Sequence, residues 1–198
     1  MANKIEISVV ISAYNQEKYI GRCLRSLINQ TIEFSKFEII LINDGSTDRT
    51  LFAAELFCDP KDSKIKIINN KMNIGLPASL NKGINISKGK YIVRIDSDDW
   101  VSSDFLNLLY QFLENNNYMD AVACDYNLVD KNEKVIERKN CFLDPIACGI
   151  MFKKKDLLDI GLYDETFHCN EERDLRIRFD KKFKIYRLEL PLYRYRKH

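Results

Sequence analysis

Three carboxylates stand within four positions in the segment RIDSDDW, which runs from Arg94 to Trp100. Asp96, Asp98 and Asp99 follow the apolar run KGKYIV, so they are expected where a buried strand ends. Such a cluster repels itself unless a cation, hydrogen-bond donors or open water surround it. Carboxylate oxygens suit Mg²⁺ and Mn²⁺, which usually take one or two of them together with substrate phosphates. The cluster therefore predicts a site for a divalent ion and a phosphate group, with helix capping by Asp98 and Asp99 as the open alternative.

Two further polar segments follow apolar runs. Asp44 comes after EIILIN and before a glycine, and its carboxylate can accept hydrogen bonds from a ribose or a base N–H. An ordinary Asp-Gly turn is the alternative for this position. The segment SAYNQ, at 12–16, offers backbone donors and the ring of Tyr14 as a stacking surface. Both segments are candidates for nucleotide binding.

The first half of the chain alternates between predicted strands and helices. The predicted strands are Ile5–Ser12, Phe37–Asn43, Lys64–Asn69 and Lys90–Ile95. The predicted helices are an apolar stripe over Tyr19–Ile28, a helix capped by Ser46 or Thr47 that reaches about Cys58, Pro77–Ser87, and a helix capped by Ser102 or Ser103 that reaches about Asn115. This alternation predicts an α/β fold with a mostly parallel, Rossmann-like sheet and helices on both faces. Ligands of such sheets bind beyond the carboxyl ends of the strands, where all three polar segments fall.

The second half is less regular. Its predicted elements are two strands joined by a turn at Asp130–Glu133, the short strand CGIMFKK, a short helix closed by Gly161, a helix over EERDLRIRFDKKF and a last strand KIYRL. No linker or repeat separates the halves. We expect one domain over 1–198, with a nucleotide-binding half at 1–100 and a smaller mixed, acceptor-side lobe at 101–198.

Composition excludes several classes of protein. The chain has 198 residues, of which 45% are hydrophobic and 30% charged, which is typical of a globular domain rather than a disordered one. The net charge of +2 gives no strong field toward nucleic acid, so no nucleic-acid partner is expected. The segment 181–198 carries seven Lys and Arg against one acid. This basic end can meet a diphosphate, an anionic acceptor or a membrane surface, or simply form a solvated face.

Targeting and cysteine patterns point to the cytoplasm. The first residues lack the pattern of a signal peptide, and no apolar stretch has transmembrane length. We expect a cytoplasmic protein, with the inner face of the membrane as one location. The six cysteines form no CxxC pair and are expected to be reduced, and Cys141, Cys148, His168 and Cys169 lack the close spacing of a zinc site.

Taken together, the motifs resemble the nucleotide-sugar glycosyltransferases of family 2, which have the GT-A fold. The resemblance is carried by the segments ISVVISAYNQEKYIGRCLRSLINQT, EIILINDGSTDRT, NNKMNIGLPASLNKGINISKGKYIVRIDSDD, IGLYDETF, EERDLRIRF and LYRYRKH. Their order and spacing cover nearly the whole chain. The resemblance implies an inverting, metal-dependent sugar transfer from a nucleotide-sugar, by default a UDP-sugar, to a glycan or lipid-linked acceptor.

The resemblance also implies roles for individual residues. Ser12, Ala13, Tyr14 and Asp44 would hold the nucleoside, and Asp96 would face the ribose and diphosphate. Asp98 would bind the divalent ion, Mn²⁺ or Mg²⁺, and His198 would complete the metal and diphosphate site. The acid pair Glu171-Glu172 would supply the catalytic base, with Glu172 as the base and Glu171 in support. Because neighbouring helix residues point about 100° apart, Glu171 should face solvent or a partner such as Arg173 or Arg176.

Two positions depart from the family pattern, and two other functions remain as alternatives. Asn43 replaces the first acid of the frequent Asp-Asp pair, and Glu172 replaces an aspartate. A nucleotidylyltransferase would carry a Gly-rich, basic loop after the first strand, whereas SAYNQEKY has no glycine and one lysine. A non-catalytic nucleotide-sugar-binding module would need neither Asp98 nor Glu172.

Overall fold

The computed structural model describes residues 4–58 and 65–197 of the chain. One sheet runs through the molecule in the order β3-β2-β1-β4-β8-β6-β9-β5, and β7 pairs with β6 outside this order. Its strands are β1 (Ile7–Ala13), β2 (Phe37–Asn43), β3 (Ile65–Asn69), β4 (Tyr91–Arg94), β5 (Trp100–Val101), β6 (Ala121–Val129), β7 (Val135–Lys139), β8 (Ile150–Lys153) and β9 (Ile185–Arg196). The helices are α1 (Ile20–Ile28), α2 (Thr50–Glu55), α3 (Leu76–Ile86), α4 (Phe105–Asn115), α5 (Lys154–Asp159) and α6 (Glu171–Asp180), and a 3₁₀ turn covers Phe34–Lys36.

The first four strands form the parallel part of the sheet. The strand β1 pairs in parallel with β2 and β4, and β2 pairs in parallel with β3. The second half is mixed, because β8 is antiparallel to both β4 and β6 while β9 is parallel to β6 and antiparallel to β5. The predicted α/β architecture, with a parallel sheet followed by a mixed region, is therefore confirmed, but the mixed region is not smaller, because it contains five of the described strands and the parallel part four.

Alternating residues of the sheet feed two cores, one on each face. On β1, Val9 and Ile11 pack into the core that contains α1 and α4, while Val10 packs into the core that contains α3, α5 and α6. A strand whose side chains are buried on both sides reads as a continuous apolar run, as β1 does. Within the described ranges, no helix has the length and apolar character needed to cross a bilayer.

Two helix starts differ from the prediction. The helix α2 begins at Thr50 rather than near Ser46, because Asp48 accepts hydrogen bonds from the backbone N–H of Thr50 at 2.9 Å and from its hydroxyl at 2.5 Å. Ser46 is used instead by the neighbouring loop, where it accepts from the backbone N–H of Asn15 at 3.0 Å. The helix α4 begins after Asp104, so the predicted capping by Ser102 or Ser103 is also wrong.

The last strand is longer than predicted. β9 continues through Pro191 to Arg196, with register irregularities against β6 around Asp125. Its final part pairs with the two-residue strand β5, which follows directly after the acidic cluster. The C-terminal strand β9 therefore lies next to the segment whose carboxylates were predicted to bind a metal.

Candidate active site

The carboxyl ends of β1, β2 and β4 meet at one rim of the sheet. The register pairs Ala13 with Asn43, so the loops after β1 and β2 begin side by side. A cavity of about 340 Å³ opens there. Its lining consists of Ser12, Tyr14, Gln16, Asp44, Asn73, Leu76, Asp96, Ser97 and Asp98. We call it the donor cavity, and it brings together five of the residues that the sequence had singled out.

One predicted residue does not reach the donor cavity with its side chain. The methyl group of Ala13 is buried in the core, while its backbone carbonyl accepts a hydrogen bond from the N–H of Asp44 at 2.8 Å. Gln16, Asn73, Leu76 and Ser97 were not singled out. Asn73 and Leu76 lie in the segment NNKMNIGLPAS, which contributes to the family resemblance. That segment could have drawn attention to them, but the resemblance assigned no role to its individual residues.

The loops after β1 and β2 are tied to each other by a network of short hydrogen bonds. Asn15, in the left-handed region with a φ of 53°, accepts from the backbone N–H of Thr47 at 2.9 Å. Asp48 accepts from the backbone N–H of Glu17 at 3.1 Å, and Glu17 accepts from that of Arg49 at 3.0 Å. Such reciprocal bonds fix the two loops as one unit, so the donor cavity has a wall that does not depend on a ligand.

Asp44 organises the opposite wall. Its Oδ1 accepts hydrogen bonds from the Asn70 amide at 2.8 Å and the Ile74 N–H at 2.9 Å, and its Oδ2 accepts from the Gly75 N–H at 3.0 Å. The loop after β2 approaches the backbone of Met72 so closely that position 45 must be glycine. Gly45 has a φ of +69°, and a Cβ atom there would lie 2.4 Å from the Met72 backbone. A carboxylate offers about four acceptor positions, so three bonds leave about one for a ligand.

The acidic cluster divides into two kinds of carboxyl group. Asp96 and Asp98 line the donor cavity, whereas Asp99 is buried and accepts hydrogen bonds from the Tyr193 hydroxyl at 2.9 Å and the Arg196 N–H at 2.7 Å. Burial, followed by the charges of Asp96 and Asp98, raises the pKa of Asp99 to about 8. Asp99 therefore holds β9 in place, and it does not cap the next helix, whose N-cap is Asp104.

A divalent ion fits the pair that faces the donor cavity. Asp96, Asp99 and Cys148 offer three ligand atoms within 4.8 Å of one another, but both oxygens of Asp99 are already engaged. Burial, together with the Asp96 charge, holds the pKa of the Cys148 thiol well above its ordinary value, which keeps it a poor ligand for a hard ion. Asp96 and Asp98 supply the carboxylate oxygens that Mn²⁺ and Mg²⁺ prefer beside phosphates. His198, the other predicted ligand, lies outside the described residues.

The two glutamates of α6 point to different places. Glu171 is buried and forms an ion pair with Arg94, with 2.9 Å between its Oε1 and the Arg94 Nη1. The predicted partner of Glu171, either solvent or one of Arg173 and Arg176, is therefore wrong. Glu172 lines a second cavity of about 330 Å³. We call this second space the acceptor cavity. It is lined by Tyr126, Leu143, Asp144, Pro145, Ile146, Ala147, Ile150, Phe152, Glu172, Arg173, Leu175, Arg176 and Ile185.

Within the described ranges, the cysteines form no metal-binding cluster of their own. All six are free thiols, as expected for a reduced protein. Among the described residues, no three of Cys141, Cys148, His168 and Cys169 come together as ligands. The donor cavity thus holds the arrangement best suited to bind an ion and a phosphate, and the acceptor cavity holds a carboxylate suited to accept a proton.

Comparison with known sequences places these features in a family. Residues 8–173 match the family described as "Glycosyl transferase family 2". A protein of Methanocaldococcus jannaschii, named an uncharacterized glycosyltransferase, is 31% identical over 96% of this chain and 70% of its own length. A Haemophilus influenzae protein with the same description is 41% identical over 67% of this chain. That match covers 40% of the H. influenzae protein, so the chain spans less than half of this relative.

Solved structures agree on the fold. TarS 1-349 of S. aureus, crystallised in complex with UDP-GlcNAc, has a TM-score of 0.85 and 20% identity, with 98% of this chain and 59% of that chain covered. The mannosyltransferase PcManGT of Pyrobaculum calidifontis, in complex with GDP-Man and Mn²⁺, has a TM-score of 0.77 and 16% identity over 96% of this chain and 56% of its own. At these identities the likeness establishes the GT-A fold of the sheet and its helices.

Proposed function

The chain belongs to glycosyl transferase family 2, and from that premise we propose that it transfers a sugar from a nucleotide-sugar donor to a hydroxyl group of an acceptor, with inversion at the anomeric carbon. The observation that carries the proposal is the donor cavity. Tyr14, Asp44, Asp96 and Asp98 come from three separate strand ends and line one space of about 340 Å³. Ligands of parallel sheets bind at this rim.

In the proposed function, the nucleoside of the donor binds to the loops after β1 and β2. Tyr14 is 46% exposed and can stack on the base, while Ser12 and the remaining acceptor position of Asp44 can bind base or ribose donors. A UDP-sugar is the donor we favour, in keeping with the UDP-GlcNAc that TarS binds. The lining of the donor cavity comes from residues 12–98, which supports a nucleotide-binding half at 1–100 of a single domain.

The diphosphate is assigned to the acidic cluster. Asp98, with Asp96 beside it, would hold Mn²⁺ or Mg²⁺ against the diphosphate, and the PcManGT complex with GDP-Man and Mn²⁺ is a precedent for the ion. When bound, such an ion neutralises the charge that develops on the leaving diphosphate. Asp99 attaches the acidic cluster to β9, because it accepts hydrogen bonds from the Tyr193 hydroxyl and the Arg196 N–H. His198 would add to the same site.

The acceptor half of the proposal assigns the base to Glu172. An inverting transfer needs one group that takes the proton from the attacking hydroxyl, and a carboxylate can do so. Glu172 lines the acceptor cavity, whose residues lie between Tyr126 and Ile185, which supports an acceptor-side half at 101–198. The acceptor hydroxyl would enter this cavity with its proton toward the Glu172 carboxylate.

The acceptor is a glycan or a lipid-linked glycan in this proposal. A neighbouring cavity shares Pro145, Arg176 and Ile185 with the acceptor cavity and extends to Lys184, so an acceptor longer than one sugar has room. Lys181 and Lys182 are exposed nearby at the end of α6. These lysines would suit the phosphate of a lipid carrier or an anionic membrane surface, which supports the proposal that the protein acts at the inner face of the membrane.

A donor-hydrolysis assay tests the proposed function. The chain is incubated with UDP-linked and GDP-linked sugars in the presence of Mn²⁺, and release of the nucleoside diphosphate is measured. Slow release from at least one donor, abolished by EDTA, is expected of a glycosyltransferase without its acceptor. Binding without release would favour a nucleotide-sugar-binding module, and release of pyrophosphate from a nucleoside triphosphate and a sugar phosphate would favour a nucleotidylyltransferase.

A further inference from the structure

Arg94 joins the two candidate sites inside the protein. It ends β4, and its guanidinium contacts two carboxylates at once. Its Nε donates to Asp96 Oδ1 at 2.9 Å, and its Nη1 donates to Glu171 Oε1 at 2.9 Å. The side chains of Arg94 and Glu171 are each 7% exposed. The bridge therefore runs from a residue of the donor cavity to the first residue of α6, the helix that carries Glu172.

The bridge is held in one geometry. A guanidinium is planar and offers its donors in a fixed fork, so the two carboxylates cannot move independently of it. The ring of Tyr163 packs over Arg94, with 5.7 Å from the guanidinium carbon to the ring centroid. Tyr163 is itself fixed by Asn81, which accepts from its N–H at 3.0 Å and donates to its carbonyl at 2.8 Å.

The start of α6 depends on this bridge. Among the described residues no side chain caps the helix, and its N-cap residue, Asn170, has a left-handed φ of 60°. The ion pair of Glu171 with Arg94 is thus a buried polar anchor at the first residue of the helix, and Glu172 is the next residue along it. A shift of Glu171 must move Glu172.

We propose that Arg94 is a positioning residue that links occupancy of the donor cavity to the orientation of Glu172. One buried cation is shared by the buried carboxylate of Glu171 and the partly exposed carboxylate of Asp96, so the trio carries a net negative charge. With a donor and its divalent ion bound, Asp96 would share its negative charge with the ion, and Arg94 would pair more strongly with Glu171. The first turn of α6 then tightens, and Glu172 is set toward the acceptor after the donor has bound. This inference rests on the proposed function, because it requires a nucleotide diphosphate and a divalent ion at Asp96.

Hydrogen exchange of the segment 170–180 tests the link without an activity assay. UDP and Mn²⁺ are the probe, with GDP and Mn²⁺ as the second nucleotide, and binding is measured separately by calorimetry. In the wild-type chain the nucleotide with Mn²⁺ is expected to slow exchange in this segment by about fivefold or more, the usual lower range of coupling between two sites. Glu171→Gln keeps the shape of the side chain and removes its charge. This variant should bind the nucleotide normally but lose the gain in protection, that is, the slowing of exchange caused by the nucleotide.

Two further variants separate the link from a purely structural effect. Arg94→Lys keeps a charge but lacks the fork, so it should retain part of the gain, whereas Arg94→Met should lose all of it. Asp174→Asn is the matched control, because it breaks the pair of Asp174 with Arg178 on the same helix and leaves Arg94 untouched. A structural role alone would speed exchange equally with and without nucleotide.

The outcomes are distinct. Loss of the nucleotide-dependent gain in Glu171→Gln, with retention in Asp174→Asn, supports the link. Full retention in Glu171→Gln, or no nucleotide effect in a wild-type chain that binds the nucleotide, overturns it. A wild-type chain that binds neither UDP nor GDP in the presence of Mn²⁺ overturns the proposed function, and this inference with it.

Discussion

Asp98 and Asp99 are neighbours in the chain but have different environments, and substitutions should separate them. Asp98 lines the donor cavity, so Asp98→Asn should weaken Mn²⁺-dependent UDP binding by at least about tenfold, with little change in melting temperature. Asp99→Ala removes the acceptor of the Tyr193 O–H and of the Arg196 N–H, so it should lower the free energy of unfolding by about 1–3 kcal/mol. Calorimetry and thermal melting of both variants check the pair, and a reversed pattern would mean that the two roles have been exchanged.

Glu172 provides the second test at the level of a single residue. Glu172→Gln removes the proton acceptor but preserves the size of the side chain, so transfer should fall by about 10²–10⁴-fold while UDP binding is unchanged. Glu55→Gln, an exposed acid on α2 that lines neither the donor cavity nor the acceptor cavities, is the control and should transfer normally. Steady-state transfer to a true acceptor is the measurement. Near-normal transfer by Glu172→Gln would place the base elsewhere.

At the scale of elements, Asp125 joins three strands of the acceptor-side half. It lies on β6 and accepts from Arg187 of β9 at 2.9 Å and 2.8 Å and from Arg138 of β7 at 2.8 Å. Burial by itself raises the pKa of Asp125, but the hydrogen bonds from Arg187 and Arg138 outweigh it and lower the pKa to about 2. The ionised form is thus favoured in the folded state.

This shift predicts a pH dependence of stability. Because the folded pKa lies below the ordinary value of 3.8, the contribution is present above about pH 4 and lost as the pH falls toward about 2. The shift corresponds to about 2 kcal/mol. The difference in free energy of unfolding between wild type and Asp125→Asn should therefore shrink between pH 5 and pH 3, as measured by denaturant titration. Glu137→Gln, on exposed β7, is the control, and a constant difference for Asp125→Asn would contradict the assignment.

The sequence predicted which elements exist better than where they begin. Apolar periodicity located every strand of the parallel region, because a strand buried on both faces must be apolar throughout. The starts of α2 and α4 were missed, because Ser46 bonds to the neighbouring loop and α4 begins only after Asp104. The two-residue strand β5 and the full length of β9 were also missed, since β5 depends on its pairing with β9, and β9 on its pairing with β6, rather than on a local pattern.

The same division applies to the site. The convergence of Tyr14, Asp44 and Asp96 was predictable, because parallel strands bring their carboxyl ends to one rim. The partner of Glu171 was not, because Arg94 lies 77 residues away and α6 packs against β4 only in the folded chain. Asp99 was grouped with its neighbours for the same reason. Its partners, Tyr193 and Arg196, come from the far end of the chain.

At the scale of the whole molecule, the two cavities belong to different halves of one sheet. The donor cavity is lined from the parallel half and the acceptor cavity from the mixed half. Arg94 pairs with Asp96 of the donor cavity and with Glu171, the neighbour of Glu172 in the chain. In the proposed function the donor binds in one half and the acceptor is activated in the other. The central claim is that the donor cavity binds a nucleoside diphosphate together with a divalent ion.

Titration of UDP into the wild-type chain by calorimetry, once with Mn²⁺ and once with EDTA, tests that claim most directly. Asp96 and Asp98 face the cavity with their negative charges, so the diphosphate should be repelled unless an ion lies between them. We expect UDP to bind in the presence of Mn²⁺ and to lose affinity by at least about tenfold in the presence of EDTA. Equal affinity in the two titrations, or no binding in either, would contradict it.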